Sequence, residues 1–158
     1  MAAKTYFARF ATLSFAPDGG TAITIGHLQN VEITVEYEEE FLTACGSIKI
    51  QDRCNKDVKV KVKAELLQID IDLTGDMLSP SGTTYTAGTD TLTGIENTST
   101  VSLYDVVGTI TTTAGDTLTA TVSDVSFPTV PIISASKDDG WVPFGYEGTG
   151  ADLALVLA

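Results

Sequence analysis

The sequence has little of what catalysis or tight nucleic-acid binding requires. Histidine occurs once in 158 residues, at His27, so a Ser-His-acid triad has a single possible base, and that base sits in no nucleophile motif. Nine basic residues face 21 acidic ones, for a formal net charge of −12. A surface that grips phosphates needs clustered Lys and Arg, and the balance here excludes one without excluding nucleic acid that passes by. The glycines form neither a P-loop nor a dinucleotide fingerprint. The acidic pairs Asp70/Asp72 and Asp138/Asp139 are residue types that metals and glycosidases use, but no motif joins them. No enzyme, cofactor or metal site is expected.

Other absences bound the class. No run approaches the roughly 18 apolar residues of a membrane helix. The opening Met-Ala-Ala-Lys-Thr leads into no apolar core of useful length, because Arg9 interrupts it, so no secretory signal is expected. The two cysteines, Cys45 and Cys54, lie close enough to close a small disulfide loop, yet a non-secreted chain favours reduced thiols. One histidine and two thiols do not make a zinc site. A chain of this length buries roughly 68–70% of the surface that its unfolded form exposes, enough for one domain with a real core. Abundant threonine, 14 glycines and scattered Val/Ile/Thr runs make the class all-β or β-rich.

What is present is organised around Val31–Glu65. Val31, Ile33, Val35 and Tyr37 alternate with Glu32, Thr34, Glu36 and Glu38. Later, Val58, Val60, Val62 and Ala64 alternate with Lys59, Lys61, Lys63 and Glu65. Period-two alternation predicts two strands, each with an apolar and a charged face. Paired antiparallel, they set acids across from lysines, each facing pair contributing roughly 0.2–1 kcal/mol. Six of the nine basic residues fall between Lys49 and Lys63. The connection Glu39–Lys56 is far longer than a hairpin turn, and a loop of that length is functional or disordered.

The remainder reads in order. Thr5–Phe15 and Thr21–Leu28 predict an N-terminal strand pair around the Pro17-Asp18-Gly19-Gly20 turn. After Lys63 the apolar phase moves from even to odd positions, so the chain either bulges within a strand or starts a short helix near Glu65. Thr-Ala-Gly-Thr-Asp-Thr-Leu-Thr at 86–93 resembles Thr-Ala-Gly-Asp-Thr-Leu-Thr at 113–119, which predicts two similar hairpin tips. Val101–Val107, Thr109–Thr113 and Thr117–Val125 read as strands. Phe127-Pro128-Thr129-Val130-Pro131 reads as extended. Trp141, Phe144 and Tyr146 follow among glycines. Their segment either packs on its own core or forms an arm that buries these side chains against a neighbouring subunit.

Several stretches resemble the phage major tail tube protein family. Gly26-His-Leu-Gln-Asn-Val-Glu-Ile-Thr-Val is similar to the strand that opens the family's central sheet. Phe41-Leu-Thr-Ala-Cys-Gly46 stands where members often carry a Leu-x-Gly-type segment. Lys59-Val-Lys-Val-Lys-Ala-Glu-Leu-Leu-Gln-Ile-Asp70 resembles the returning strand and helix entry, and Phe127 to Trp141 the late portion. The resemblance spans about Gly26 to Gly148, and Gly75 departs from the pattern within the helix.

The resemblance implies a mainly β fold of two packed antiparallel sheets, a sandwich or barrel, with one short helix. It implies a single domain over 1–158, with segments 1–20 and 128–158 as inter-subunit arms. It implies a virion structural protein, assembled in the host cytoplasm, that forms hexameric rings with copies of itself. The stacked rings join other tail proteins, conduct DNA through the lumen without specific binding, and involve no membrane. Glu32, Glu36 and Glu38 become the lumen-facing candidates. Glu39, Glu40, Phe41, Leu42, Lys49, Asp52, Arg53 and Lys56 become the ring-stacking loop, and Trp141, Phe144 and Tyr146 the inter-subunit anchors. The alternatives are another virion β-domain, such as a head decoration or tail terminator protein, and a lectin-like or adhesin β-sandwich.

Overall fold

The computed structural model describes residues 8–17, 20–25, 27–43, 50–68, 71–78, 85–86, 91–92, 102–133, 137, 140 and 142–158. Its strands are β1 (Ala8–Pro17), β2 (Ile23–Ile25), β3 (Leu28–Thr43), β4 (Ile50–Leu66), β5 (Tyr85–Thr86), β6 (Thr91–Leu92), β7 (Tyr104–Thr112), β8 (Thr117–Val125), β9 (Phe144–Gly150) and β10 (Asp152–Leu157), with one helix, α1 (Ile71–Leu78). Every pairing is antiparallel. The five-stranded sheet runs β10-β8-β7-β1-β2, the three-stranded sheet β3-β4-β9, and β5 pairs with β6 alone. The mainly β class, the two sheets and the single short helix are as expected.

Alternation explains the local structure. Val60, Val62, Ala64 and Leu66 of β4 are buried against Leu13 and Phe15 of β1, Val106 of β7, and Val122 and Val125 of β8. The phase change after Lys63 marks the end of the strand. Leu67 N–H donates to the His27 carbonyl at 2.8 Å and closes the ladder. The chain then turns into α1, which buries Leu73 and Thr74 and lays Met77 against the core. Two expected strands around Gly108 are one, β7. A Cβ at Gly108 would lie 3.2 Å from Ile33 Cδ1 of the facing sheet, so glycine lets the sheets approach there without ending the strand.

The second threonine-rich repeat sits at a hairpin tip, and the described residues of the first are paired, with 87–90 outside the described residues. In the first, Thr86 pairs with Thr91. In the second, Gly115 adopts φ +92°, a region glycine reaches at low cost. Gly115 N–H bonds Thr112 O at 3.1 Å, and Asp116 N–H bonds Thr112 Oγ1 at 3.1 Å. The predicted N-terminal pair is present as β1 and β2, with Leu13 opposite Ile25.

Segments 1–20 and 128–158 are not arms throughout. Their strands β1, β9 and β10 belong to the subunit's own sheets; residues 1–7 lie outside the described residues. The chain changes sheets between β9 and β10. Ser126 and Thr149 exchange backbone bonds of 3.0 and 3.1 Å, and Ala151 N–H bonds Ser123 O at 2.9 Å. Beside this corner, Phe15, Tyr104, Phe127 and Tyr146 stack edge-on or tilted, with centroids 5.5–6.2 Å apart, a geometry that adds to their burial. Tyr104 Oη donates to Asp76 Oδ2 at 2.5 Å and ties α1 to the larger sheet.

Two predictions follow from this packing. A Cβ at Gly150 would overlap Val122, whereas one at Gly145 meets nothing within 4 Å. Gly150→Ala is expected to cost about 1–3 kcal/mol in urea denaturation, as overpacked cores do, and Gly145→Ala to stay within about 0.5 kcal/mol. Tyr104 carries the second. Burial first, then the bond to Asp76 and its charge, hold this phenol above its ordinary value. A raised folded-state pKa contributes stability that is present below the unfolded value of about 10 and lost as pH rises past it. Tyr104→Phe should therefore cost about 1–3 kcal/mol at neutral pH, leaving Asp76 without its donor, and flatten the alkaline fall in stability across a pH series.

Candidate functional site

The most distinctive feature is the pairing of β3 with β4. It runs from Leu28↔Leu66 to Thr43↔Ile50, but β9 covers β4 only over Val60–Leu66. The outer half is a bare two-stranded ribbon. The expected loop Glu39–Lys56 is therefore corrected: most of it is strand. Glu39 faces Asn55, Glu40 faces Cys54, Phe41 faces Arg53 and Leu42 faces Asp52. Lys49 lies outside the described residues. A bulge between Glu38 and Glu39 moves the partner from Asp57 to Asn55 and leaves Lys56 as the extra residue.

The ribbon was hidden in the sequence because both its faces meet water, so no core demands alternation beyond Tyr37. It carries Tyr37, Phe41, Leu42 and Val58, each about half exposed or more. The Arg53 guanidinium lies 5.5 Å from the Phe41 ring centroid, directly across the strands, a cation–π pair that links the two strands. Cys54 is an exposed free thiol; Cys45 lies outside the described residues.

The outer face of the three-stranded sheet is a charge checkerboard. Glu32 opposes Lys63 and Glu36 opposes Lys59, while Lys63 also opposes Glu147. Lys61 Nζ reaches Glu36 Oε2 at 2.8 Å. That hydrogen bond, then the Glu36 charge, hold the Lys61 ammonium above its ordinary value, with a smaller push from Glu147. Glu32 and Glu36 thus face lysines, whereas Glu38 opposes Asp57. Acid dominates only where the ribbon begins.

The outer face of the five-stranded sheet is of another kind. Tyr104, Val106, Val122 and Val125 are buried, and alternation puts Thr109, Thr111, Thr117, Thr119, Thr121 and Ser123 on the opposite face. Thr12, Thr109, Thr119 and Val156 form one cross-strand row, and Ser14, Val107, Thr121 and Ala154 another. The odd-numbered threonines were a readable period-two signal that composition alone had blurred. Between the sheets, Val31, Ile33, Val35, Ile110, Leu118 and Leu155 help to line an open apolar cleft of about 310 Å³.

The anchor candidates separate. Tyr146 is fully buried against Phe15 and Phe127, so it is a core residue and not an exposed anchor. Phe144 is partly buried against the same core, and Trp141 lies outside the described residues. Among the described residues, no group of three or more His, Cys, Asp or Glu is placed to hold a metal, and no helix is long and apolar enough to cross a membrane.

No family model and no curated protein sequence matches the chain. Solved structures do. A chain of the six-fold symmetrised cryo-EM structure of the anti-feeding prophage baseplate superposes with a TM-score of 0.57 at 10% identity, covering 99% of this chain and 97% of that one. A chain of the extended sheath–tube complex of an extracellular contractile injection system, PVC, superposes at 0.50 and 11% identity, covering 92% and 88%. The likeness at these identities is one of fold.

The ribbon beyond Tyr37 and Val58 supports nothing in the described core. Replacing residues 38–57 by a two-residue Asn-Gly turn, which suits a tight hairpin, should leave the circular-dichroism melting temperature of the subunit nearly unchanged. A collapse of the melting transition would show that the ribbon is part of the fold's own support.

Proposed function

We propose that this chain is a structural subunit of a phage-tail-like tube, assembling into rings of six that stack around a channel through which DNA passes. No catalytic step is assigned to it. The observation that carries the reading is the bare ribbon, a long element that buries nothing among the described residues while exposing Tyr37, Phe41, Leu42 and Val58. Soluble monomers rarely leave such apolar surface in water unless a partner covers it. The fold likeness to chains of an injection-system baseplate and of a sheath–tube complex supports the same reading.

In this reading the ribbon, from Glu39 and Glu40 through Phe41, Leu42, Asp52, Arg53 and Lys56, reaches the adjacent ring. A stiff two-stranded element holds its contact residues in place at a lower entropy cost than a mobile loop would. Its acidic base, at Glu38, Glu39 and Glu40, favours a basic or polar acceptor surface. Subunits and rings join other tail proteins at the ends of the tube, in a virion or a virion-like particle.

Negative-stain microscopy of concentrated or seeded protein should show hollow tubes, and native mass spectrometry should find a ring of six times the 16.6 kDa chain mass. The ribbon-shortened variant should give folded subunits that do not stack. A monomer that persists at high concentration in the presence of tail-tip seeds would falsify the tube reading.

A further inference from the structure

The two sheets differ in how their edges are protected. In the three-stranded sheet, the free edge of β3 is lined with Glu32, Glu36, Glu38, Glu39 and Glu40, and β9 is held at Thr149 by Ser126. Charge and cover are the usual guards against edge-to-edge pairing. In the five-stranded sheet, β2 spans three residues and pairs with β1 only over Leu13–Phe15. Nothing among the described residues pairs with that side of β1 over residues 8–12, where the guards are confined to one end, in a bulge between Ala8 and Phe10 that leaves Arg9 as the extra residue. At the opposite edge, β10 pairs with β8 from Asp152 to Leu157 without a bulge, and Ala158 and Thr117 extend the pairing by bonds of 2.7 and 2.9 Å. Its outer edge has no Lys, no Pro and no cover among the described residues, and Leu155, Val156 and Leu157 are 58–62% exposed. The five-stranded sheet is the one built to continue into a second copy, β10 of one meeting the open half of β1 in the next.

From this asymmetry we infer that the threonine–serine face of the five-stranded sheet, and not the Glu32/Glu36/Glu38 face, lines the channel. The inference rests on the tube reading and deepens it. In a ring of two-layer subunits, the layer that is continuous from copy to copy takes the smaller circumference. The narrower layer takes the larger one, where gaps open between copies. Five strands with open edges suit the inner wall, and three strands with guarded edges suit the outer. The core face of the five-stranded sheet is covered by the three-stranded sheet, so its other face points to the axis.

That face is chemically distinct. Its middle rows hold Thr12, Thr109, Thr119, Ser14 and Thr121 with small apolar residues, and no charge. Its acids, Asp105 and Asp152, lie at one end, opposite Ala16 and Ser123. Around a ring they form an acidic collar that repels phosphate within a Debye length of about 8 Å at physiological salt. The hydroxyl rows in the middle of the face offer a passing strand no cation; Arg9 stands in the bulge at the far end of β1. The lysine column Lys59, Lys61, Lys63, with the acids Glu32, Glu36 and Glu147 that answer it, then faces outward.

Single cysteines at position 119 (Thr119→Cys) and position 36 (Glu36→Cys), in a Cys45→Ser/Cys54→Ser background, test this in assembled tubes. Free subunits should react at both positions with a small maleimide and with a maleimide carried on a bulky protein. In tubes, the bulky reagent should still modify position 36, its reaction at position 119 should be lost, and the small reagent should reach both. Bulky labelling of position 119 in intact tubes, with loss at position 36, overturns the inference and leaves the tube reading standing. Wild-type protein that forms no tubes overturns both. If either cysteine variant does not assemble, a cryo-EM map of wild-type tubes decides: Thr119 on the axial side supports the inference, and Glu36 on the axial side refutes it.

Discussion

The close approach of β9 to the end of β8 is the constraint on which the rest of the subunit depends. The chain leaves the three-stranded sheet at Gly150 and enters the five-stranded sheet at Asp152. This step is short because glycine stands at the two closest points. A Cβ at Gly148 would sit 2.7 Å from Ser126 O and 2.8 Å from the Phe127 ring, and one at Gly150 would overlap Val122. The approach brings Phe127 and Tyr146 onto Phe15 and Tyr104, and Tyr104 in turn holds the helix through Asp76. Nearby, Asp124 takes a positive φ of 54°, where Asp is tolerated better than most residues, and its N–H lies 3.4 Å from Asp105 Oδ1. Packing, sheet order and helix position all follow from this corner.

Closure at one end leaves the other end open. The buried residues cluster around the corner, while Val31, Ile33 and Val35 face Ile110, Leu118 and Leu155 across a cleft that is apolar but not filled. The same face of β3 then runs out onto the ribbon as Tyr37. Exposed apolar residues continue from the cleft onto the ribbon, at Tyr37, Phe41, Leu42 and Val58, and along the β10 edge, at Leu155, Val156 and Leu157.

Charge is sorted in the same spirit. On the three-stranded sheet the acids and lysines largely answer one another across the strands, so a face rich in charge has a modest net charge. On the five-stranded sheet the middle rows of the outer face are hydroxyl and methyl. The surplus acid of the chain gathers instead at the ribbon and at the ends of strands.

Residues 28–66 show how far a single sequence can be read. Alternation over Val31–Tyr37 and Val58–Ala64 determined two strands and their facing acids and lysines, because a half-buried strand writes its environment into every second residue; the apolar side is buried at Val60, Val62 and Ala64, while Tyr37 and Val58 on that side are exposed. The second Thr-Ala-Gly segment determined a hairpin tip for a similarly local reason, the positive φ that Gly115 adopts. Beyond Glu38 the same strand became illegible: with water on both faces of the ribbon, no residue is constrained by a core, and Glu39 and Glu40 look like loop. Tyr146 and Phe144 looked alike among glycines, yet only Tyr146 lies under Phe15 and Phe127, partners more than 120 and nearly 20 residues distant in the chain. Burial of that kind is decided by which strands meet. So is the contrast between a guarded edge at β3 and an open one at β10, because a strand becomes an edge only when the strand order is set, and that order is a property of the folded sheets.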